Sequence, residues 1–342
     1  MKFWWLLLLV FLLSWVLTLT LRRYALGNKL VDIPNERSSH TIPTPRGGGV
    51  AIVFAFLIAL PALKLLGMMS SELMYGLLAG GLLVAAIGFA DDHNHIAARW
   101  RLLGHFAAAA LALFWLGGLP PVPFGGVTID LGVAGTVLAL VYLVWMLNLY
   151  NFMDGIDGLA SVEAISVCLG SCLIYGLTGH VESMWVTLLL AASVSGFLCW
   201  NFPPARIFMG DAGSGFLGLV LGVMAVDAAW KSGDFLWSWL ILLGVFVVDA
   251  TWTLGRRLLS GEKVYEAHRS HAYQYAARRY GSHKVVVFAV AAINLFWLTP
   301  LAVAVGTGRV SGAIGLPVAY LPLILIACAL GAGVREKPKS RA

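Results

Sequence analysis

Residues 132–160 read GVAGTVLALVYLVWMLNLYNFMDGIDGLA, a long apolar run that ends in regularly spaced polar residues. The apolar part, residues 132–147, contains no charged side chain. A helix of about 20 apolar residues crosses a bilayer, so this stretch predicts a membrane-spanning helix. The polar residues that follow it are Asn148, Asn151, Asp154 and Asp157. Their position at the end of a span indicates chemistry at a membrane surface.

The remainder of the chain has the same membrane character. Its 342 residues are 60% hydrophobic and 12% charged, with a mean hydropathy of +0.85. Soluble proteins carry about 25% charged residues. We therefore predict an all-α, polytopic integral membrane protein, with residues 1–342 forming a single domain and no soluble domain. The predicted spans number about eleven, at residues 3–21, 49–67, 73–90, 102–118, 132–152, 158–178, 183–202, 213–231, 235–255, 284–306 and 312–333.

The basic residues predict the orientation of these spans. All 23 Lys and Arg residues except Lys2, Lys64, Lys231 and Arg309 fall in the C-terminal tail or in the loops on the same side of the membrane. Basic loops face the cytoplasm, so we expect a periplasmic N-terminus and a cytoplasmic C-terminus. The net charge of +6 then reflects topology and contact with anionic membrane lipids, and nucleic acid is not an expected partner.

Histidines and acids gather in the loops predicted to be cytoplasmic. Asp91 and Asp92 end one span in the segment FADDHNHIAARWR, and Arg99 and Arg101 follow them. Two carboxylates at the level of the lipid headgroups can hold a divalent cation or accept a proton. A solvated pair of acids at a helix end is the alternative interpretation.

The four polar residues that end the quoted stretch cannot share one face of a straight helix. Each three-residue step rotates a side chain by about 300° around the helix axis. We therefore place Asn148 and Asn151 on the last turn of the span, and Asp154 and Asp157 in a turn that the intervening glycines permit. Oxygen ligands on such a turn suit Mg²⁺ and phosphate chemistry. Helix capping would explain one of these residues but not all four.

A third acidic motif, FMGDAGSG, contains Asp211. Its small residues allow backbone amides at the start of the next helix to approach an anion. A carboxylate beside an anion site implies a cation between them. The motif lacks the lysine of a Walker A loop, and a simple N-cap is the alternative.

Two further loops are rich in candidate binding residues. The segment EAHRSHAYQYAARR contains His268, Arg269, His271 and Gln274. It lacks the further ligands of a zinc site, whereas histidine and arginine suit contacts with phosphate, and a solvated basic helix is the alternative. The segment DIPNERSSHTIPTPRGGG contains Arg46. Its prolines and consecutive glycines are unusual for a passive connection, but spacing alone assigns it no role.

The combination of these motifs resembles the polyprenyl-phosphate glycosyl-1-phosphate transferases. The shared pattern is DD after an apolar span, NxxNxxDGIDGLA, FMGDxGS and a late HxxHxxQ loop, and it extends from Asp32 to Gln274. The family includes the undecaprenyl-phosphate GlcNAc-1-phosphate transferase and the phospho-MurNAc-pentapeptide translocase. The first and last loops look closest to the WbpL-type branch, which starts O-antigen synthesis.

The resemblance implies a reaction and its partners. Undecaprenyl phosphate attacks a UDP-N-acetylated sugar, and UMP leaves, at the cytoplasmic face of the bacterial inner membrane. The expected sugar is a 6-deoxy sugar such as FucNAc, or GlcNAc. The expected metal is Mg²⁺, with Mn²⁺ as the alternative, and a homodimer is left open.

The resemblance also implies roles for individual residues. Metal binding falls to Asp211 and Asn151, and catalysis to Asp91, Asp92 and Asp154. The late loop departs from the GlcNAc and MurNAc-pentapeptide branches, whose histidines are spaced differently, so their sugar specificity does not transfer directly. The candidate substrate-binding residues are Asn148, Asp157 (at the uracil end), Arg46, Arg99, Arg101, His268, Arg269, His271 and Gln274.

Two other classes of membrane protein are alternatives. A transporter or flippase of lipid-linked or nucleotide sugars would place ionisable groups along a path through the membrane. Here most of them lie in loops on one side. A CDP-alcohol phosphotransferase begins its motif with DGxxAR, whereas DGIDGLA has no arginine at that place.

The predicted orientation can be tested by labelling in a variant without the four native cysteines. A membrane-impermeant maleimide should label a cysteine at position 125 in intact cells, because that connection is predicted to be periplasmic. A cysteine at position 270 should react only after permeabilisation. Labelling of position 270 but not of position 125 in intact cells would reverse the topology.

Overall fold

The computed structural model describes residues 3–28, 30–34, 42–94, 96–262 and 268–334. Helices dominate this part of the chain, which confirms the predicted all-α membrane architecture. Two short antiparallel hairpins pair β1 (Val31–Asp32) with β2 (Thr44–Pro45) and β3 (Val122–Phe124) with β4 (Val127–Ile129). The helices are α1 (Trp4–Gly27), α2 (Val50–Leu65), α3 (Ser71–His93), α4 (Ala98–Leu116), α5 (Gly132–Met153), α6 (Leu159–Thr178), α7 (Val181–Asn201), α8 (Asp211–Lys231), α9 (Gly233–Leu242), α10 (Gly244–Leu259), α11 (Ala272–Tyr280), α12 (His283–Ile293), a π-helix (Asn294–Leu298), α13 (Thr299–Gly306) and α14 (Gly312–Leu330).

Most of these helices are long and apolar enough to cross a membrane. Eight stretches within the described residues meet that condition, and a ninth does if α9 and α10 are counted as one bent span. The predicted total of eleven also requires α2, which has only 16 residues, and α4, whose first turn contains Arg99 and Arg101. The total and the orientation therefore stay predictions.

The predicted span 235–255 is divided into two helices. The axes of α9 and α10 differ by 70°. At the break, a Cβ on Gly244 would lie 3.2 Å from side-chain atoms of Leu323 and Tyr320. The absence of a side chain therefore lets the start of α10 approach α14 closely. Hydropathy alone did not indicate this bend, because both halves are apolar.

Helix α8 lies at the centre of the bundle and packs against α3, α5 and α9. Its most apolar window is 94% buried. A Cβ on Gly218 would lie 2.4 Å from the Met146 carbonyl oxygen, and one on Gly222 2.8 Å from Leu143. Small residues stabilise helix pairs in membranes by allowing the backbones to approach. This close packing brings the C-terminal end of α5 to the start of α8.

The loop between α1 and α2 is tied to the segment that precedes α8. Phe208 donates its N–H to the Pro45 carbonyl at 2.8 Å, and Gly48 donates to the Phe208 carbonyl at 2.9 Å. Gly49 donates to the Met209 carbonyl at 2.8 Å. The glycine run next to Arg46 therefore belongs to the same surface as the FMGD motif. Residues 35–41 of this loop lie outside the described residues.

Gly88 provides a test of the α3–α8 contact. A Cβ at this position would lie 2.5 Å from the Ala212 amide nitrogen. We expect Gly88→Ala to force the two helices apart and to lower the free energy of unfolding by about 1–3 kcal/mol. Thermal unfolding in detergent measures this change.

Gly255, inside α10, is the matched control, since a Cβ there would meet nothing within 4 Å. Gly255→Ala should leave the unfolding temperature unchanged or raise it, because alanine favours a helix over glycine by about 1 kcal/mol. Equal unfolding temperatures for the two variants would contradict the close approach of α3 and α8.

Candidate active site

The acid pair at the end of α3 lies against the start of α8. Asp92 accepts hydrogen bonds from the amides of Asp211, at 3.3 Å, and Ala212, at 3.4 Å. The first amides of a helix have no acceptor within the helix, and negative charge is favourable beside them. Asp92 is only 6% exposed. It therefore caps α8 and fixes the position of Asp211.

Arg101 connects the acids of the two helices. Its Nη1 forms an ion pair with Asp91 and lies 3.4 Å from Asp211 Oδ2. Asp91 also accepts the Ile96 N–H at 2.6 Å. The side chain of Asp91 is 5% exposed and that of Asp211 is 37% exposed, so Asp211 is the acid that reaches open space. Arg46 approaches from the first loop and donates to the Asp92 carbonyl.

The last turn of α5 joins this group through Asn151. Its Nδ2 donates to Ser214 Oγ at 3.0 Å, and its side chain is within hydrogen-bonding reach of the Asp211 carboxylate. The two predicted metal ligands, Asn151 and Asp211, are thus neighbours. The sequence alone could not predict that Asn151 and Asp211 are neighbours, because they lie on different helices.

Asp154 caps the C-terminus of α5 and faces the same group of acids. Burial raises the pKa of the Asp154 carboxyl. The negative charges of Asp211, Asp92 and Asp157 raise the pKa of Asp154 further. Carboxylates from three parts of the chain therefore repel one another across one small region. Such a region favours a cation.

Asp157 is held by protein groups in the turn before α6. Its Oδ2 accepts the Ala205 N–H at 3.0 Å and lies 3.3 Å from His283 Nδ1. The next residue, Gly158, has a positive φ of 75° and donates its N–H to Asn201 Oδ1 at 3.0 Å. These contacts join the turn to the α7–α8 connection. A contact between Asp157 and a nucleotide stays a prediction.

His271 marks the start of α11 and is 2% exposed. Its backbone N–H donates to Gln274 Oε1 at 3.2 Å, which completes a capping box. Its Nδ1 lies 3.3 Å from Asp249 Oδ1 on α10. The same carboxylate accepts the amides of Ala272, at 2.9 Å, and Tyr273, at 3.0 Å. Asp249 therefore anchors α11 to α10, and both His271 and Gln274 contribute to this anchor.

His268 lies beside His271, with 4.8 Å between the ring centroids. Burial, together with the neighbouring His271 and Arg257, lowers the pKa of His268 to about 3. The His268 ring is therefore neutral near pH 7. It can offer a phosphate an N–H donor but not a positive charge.

Helix α11 also contacts the turn that contains Asp154. The Tyr273 hydroxyl donates to the Phe152 carbonyl at 2.9 Å, and the Phe152 ring stacks on His271 with centroids 6.4 Å apart. A Cβ at Gly155 would lie 2.0 Å from the Tyr273 hydroxyl oxygen, so this position requires glycine. The late histidine loop and the acidic motifs are thus parts of one site.

Three predicted residues contact other groups. Arg99 lies over the Trp100 ring, 5.7 Å from its centroid. The Arg269 carbonyl accepts a hydrogen bond from Arg278 at 3.0 Å. Asn148 donates to the Val144 carbonyl at 2.7 Å, one helical turn before Asn151 on α5. Substrate contacts of Arg99, Arg269 and Asn148 stay predictions.

His105 also lies at this site, although none of the sequence motifs indicated it. This histidine follows Arg101 by one turn of α4, and its ring interacts with the Asn148 side chain. Its Nδ1 is buried and has no hydrogen-bond partner among the residues that the structure describes. The available signal was the i, i+4 spacing from Arg101, which places both side chains on one helix face.

The oxygen donors of this site suit a magnesium ion that is held only in part by the protein. Within the described ranges, no group of three or more His, Cys, Asp or Glu side chains is arranged to hold a metal ion. Asp211 supplies a carboxylate, and the side-chain amide of Asn151 lies beside it. Mg²⁺ commonly binds one or two carboxylates and completes its coordination with water and substrate phosphates. The site therefore suits a magnesium ion that binds together with a diphosphate.

Comparison with known proteins supports the family resemblance that the motifs indicate. Residues 74–229 match the model of Glycosyl transferase family 4. The chain is 36% identical over 239 residues to a decaprenyl-phosphate N-acetylglucosaminephosphotransferase of Mycolicibacterium smegmatis, an alignment covering 64% of this chain and 57% of that protein. It is 29% identical to a probable undecaprenyl-phosphate N-acetylglucosaminyl 1-phosphate transferase of Bacillus subtilis, with 82% of this chain and 79% of that protein covered.

A third similarity is to a phospho-N-acetylmuramoyl-pentapeptide-transferase of Thermotoga neapolitana. The identity is 37%, over 54% of this chain and 60% of that protein. The alignment with the Mycolicibacterium smegmatis protein spans little more than half of the length of that protein. The resemblance inferred from the motifs is confirmed at the level of the family, and the WbpL-type branch stays a prediction.

The pKa of His268 leads to a test of stability against pH. The pKa is lowered from 6.5 to about 3 in the folded chain, so the unfolded chain binds a proton first as the pH falls. The contribution of His268 to the free energy of unfolding therefore decreases as the pH falls from about 6.5 to about 3. From pH 7 to pH 5, the unfolding temperature of His268→Gln should fall less than that of the wild type.

Between pH 9 and pH 8 His268 is neutral in both the folded and the unfolded chain, so the two proteins should change alike in that interval. A decrease of the same size in both proteins from pH 7 to pH 5 would show that His268 is not buried as described.

Proposed function

We propose that this chain, a relative of the polyprenyl-phosphate sugar-1-phosphate transferases, transfers an N-acetylhexosamine 1-phosphate from a UDP-sugar to a polyprenyl phosphate. An oxygen of the lipid phosphate attacks the phosphorus that bears the sugar. The bond between that phosphorus and the UMP oxygen breaks, and UMP leaves. The product is a lipid-linked sugar diphosphate. The acceptor that we propose is undecaprenyl phosphate in a bacterial inner membrane, with the site on the cytoplasmic face.

The observation that carries this proposal is the meeting of Asp211, Asn151 and Asp154 at the ends of α8 and α5. A reaction between two phosphate groups needs positive charge where negative charge accumulates. Mg²⁺, or Mn²⁺ in its place, supplies that charge when bound at Asp211 and Asn151. A transporter would instead place its coupling-ion and substrate sites near the middle of the membrane.

The acid pair of α3 has two different tasks in this proposal. Asp92 is occupied by the α8 amides and holds Asp211 in place. Asp91 is paired with Arg101, whose side chain is 33% exposed. A lipid phosphate that reaches Arg101 competes with Asp91 for the guanidinium group, because arginine binds phosphate through its planar fork. Asp91 is then released beside the incoming nucleophile.

The donor is held between the metal ligands and the start of α11. His268 is a neutral donor at the edge of this region, whereas His271 and Gln274 are buried in the helix cap. Sugar selection therefore depends more on His268 than on Gln274. For the sugar we propose FucNAc or GlcNAc, and for the product entry into O-antigen synthesis. Both proposals rest on the resemblance of the first and last loops to the WbpL-type branch.

The polyprenyl tail has a suitable place beside α10. A cavity of about 650 Å³ lies between α10 and α14, and its walls include Val247, Trp252, Leu259 and Ile324. Arg256 also lines it, on the last turn of α10. An apolar wall with one arginine suits an isoprenoid chain that ends in a phosphate.

A substitution at the proposed metal ligand tests this function. Membranes containing the chain are incubated with radiolabelled UDP-sugars, Mg²⁺ and undecaprenyl phosphate, and both the labelled lipid and UMP are measured. Asp211→Asn should lower turnover at least about 100-fold, because one anionic metal ligand is lost. Near-normal turnover of this variant at saturating Mg²⁺ would remove Asp211 from the metal site.

Asp234→Asn is the matched control, since Asp234 follows the opposite end of α8. The turnover of Asp234→Asn should equal that of the wild type. If the wild type forms no lipid-linked product with any donor and releases no UMP, the proposed reaction is wrong.

A further inference from the structure

A buried polar pair lies inside the helical bundle, within membrane-spanning segments. Glu163 on α6 is 0% exposed, and Asn294, the first residue of the π-helix, is 2% exposed. Asn294 Nδ2 donates to Glu163 Oε2 at 2.6 Å. An ionisable residue within a span is costly and is normally retained for a function. The reaction proposed above does not use this pair.

Glu163 faces the bend between α9 and α10. The backbone amide of Phe246 lies beside its carboxylate, and Phe246 is the third residue of α10. The first amides of a helix lack acceptors within that helix, and lipid offers none. A carboxyl oxygen can accept a hydrogen bond from such an amide, and the helix dipole favours an acceptor at this position. The Glu163 carboxyl therefore lies beside one of the amides at the 70° bend.

The π-helix brings the third participant to the same place. Single π-turns within α-helices often occur at functional positions, because the extra residue redirects the side chains of the turn. Asn294 lies at the start of the π-helix and holds one oxygen of Glu163. The other oxygen, Oε1, has no conventional hydrogen-bond partner in the described part of the chain. It remains available to the amides of α10.

The start of α10 is directly connected to the candidate active site. Asp249 follows Phe246 by three residues and accepts hydrogen bonds from the first amides of α11. Asp249 also lies 3.3 Å from His271 Nδ1. Any rotation of α10 about the bend therefore moves Asp249, and with it α11 and the late histidine loop.

We propose that Glu163, on α6, is a positioning residue that holds the bend between α9 and α10. By holding this bend it sets the position of His271 relative to Asp211 and Asn151. The bend itself is independent of the reaction. The consequence for turnover rests on the proposed function. Two separate measurements therefore test the two parts.

The first measurement is a distance across the bend. In a background without the native cysteines, spin labels replace the exposed residues Leu177 on α6 and Leu258 on α10, and pulsed electron paramagnetic resonance gives their separation. Glu163→Leu should shift or broaden the distance distribution, because the α10 amides lose their acceptor. Glu163→Gln should preserve it, because the amide oxygen still accepts.

The matched control removes a different buried hydrogen bond of the same helix. Tyr175 on α6 accepts the Trp239 indole N–H at 2.9 Å, which joins α6 to α9 before the bend. Tyr175→Phe should leave the distance distribution unchanged. Asn294→Leu removes the hydrogen bond that Glu163 accepts from Asn294. It replaces Glu163→Leu as the test if the Glu163→Leu protein does not accumulate. The proposal is wrong if the substitutions of Glu163 and Asn294 leave the distribution unchanged, or if Tyr175→Phe alters it equally.

The second measurement is the rate of sugar phosphate transfer. Misplacement of a substrate-positioning group by about 1 Å can cost about 100-fold in rate, so Glu163→Leu should lower kcat by about 10-fold to 100-fold. Glu163→Gln should restore kcat to near the wild-type value, and Tyr175→Phe should not lower it. An altered distance with unchanged kcat would overturn the link to the site. Absence of transfer by the wild type would instead reject the proposed function, while the distances still decide the role of Glu163 in the bend.

Discussion

The hydrogen bonds between the Asp92 carboxylate and the first amides of α8 hold the candidate active site together. They form only because α3 and α8 approach each other closely at Gly88. Gly210, whose φ is 78°, gives the chain the turn that it needs before the helix begins. A buried carboxylate at a helix start satisfies amides for which a membrane offers no other acceptor. Asp211 is thereby held through its backbone amide, and its side chain stays available for other contacts.

The polar residues of the motifs divide into two groups with different work. Asp92, His271 and Gln274 are buried and hold backbone amides at the starts of α8 and α11. Asp211 and Arg101 keep part of their side chains accessible. The first group makes the site rigid and the second can meet a substrate. Short connections at a membrane surface need this division, because their backbone amides must find acceptors within the protein.

The polar pair inside the bundle has a bearing on the transporter alternative. A transport path would need ionisable groups that are open to water or to a moving substrate. Glu163 is instead fully buried, held by Asn294 and directed at the start of α10. Its surroundings are those of a structural hydrogen-bonding group at a helix start. The charged groups with accessible side chains, such as Asp211 and Arg101, lie at the helix ends instead.

The sequence by itself determined the membrane class, the positions of most helices and the identity of the acidic motifs. These features are local, since hydropathy and length report whether a segment can lie in lipid. The tertiary structure alone decided the bend at residue 243, the pairing of Asn294 with Glu163 and the capping of α11 by Asp249. It also decided that Asn151 and Asp211 are neighbours and that His105 joins their surroundings. An apolar pattern specifies that a face is buried but not which partner buries it, so contacts between distant helices appear only once the bundle is packed.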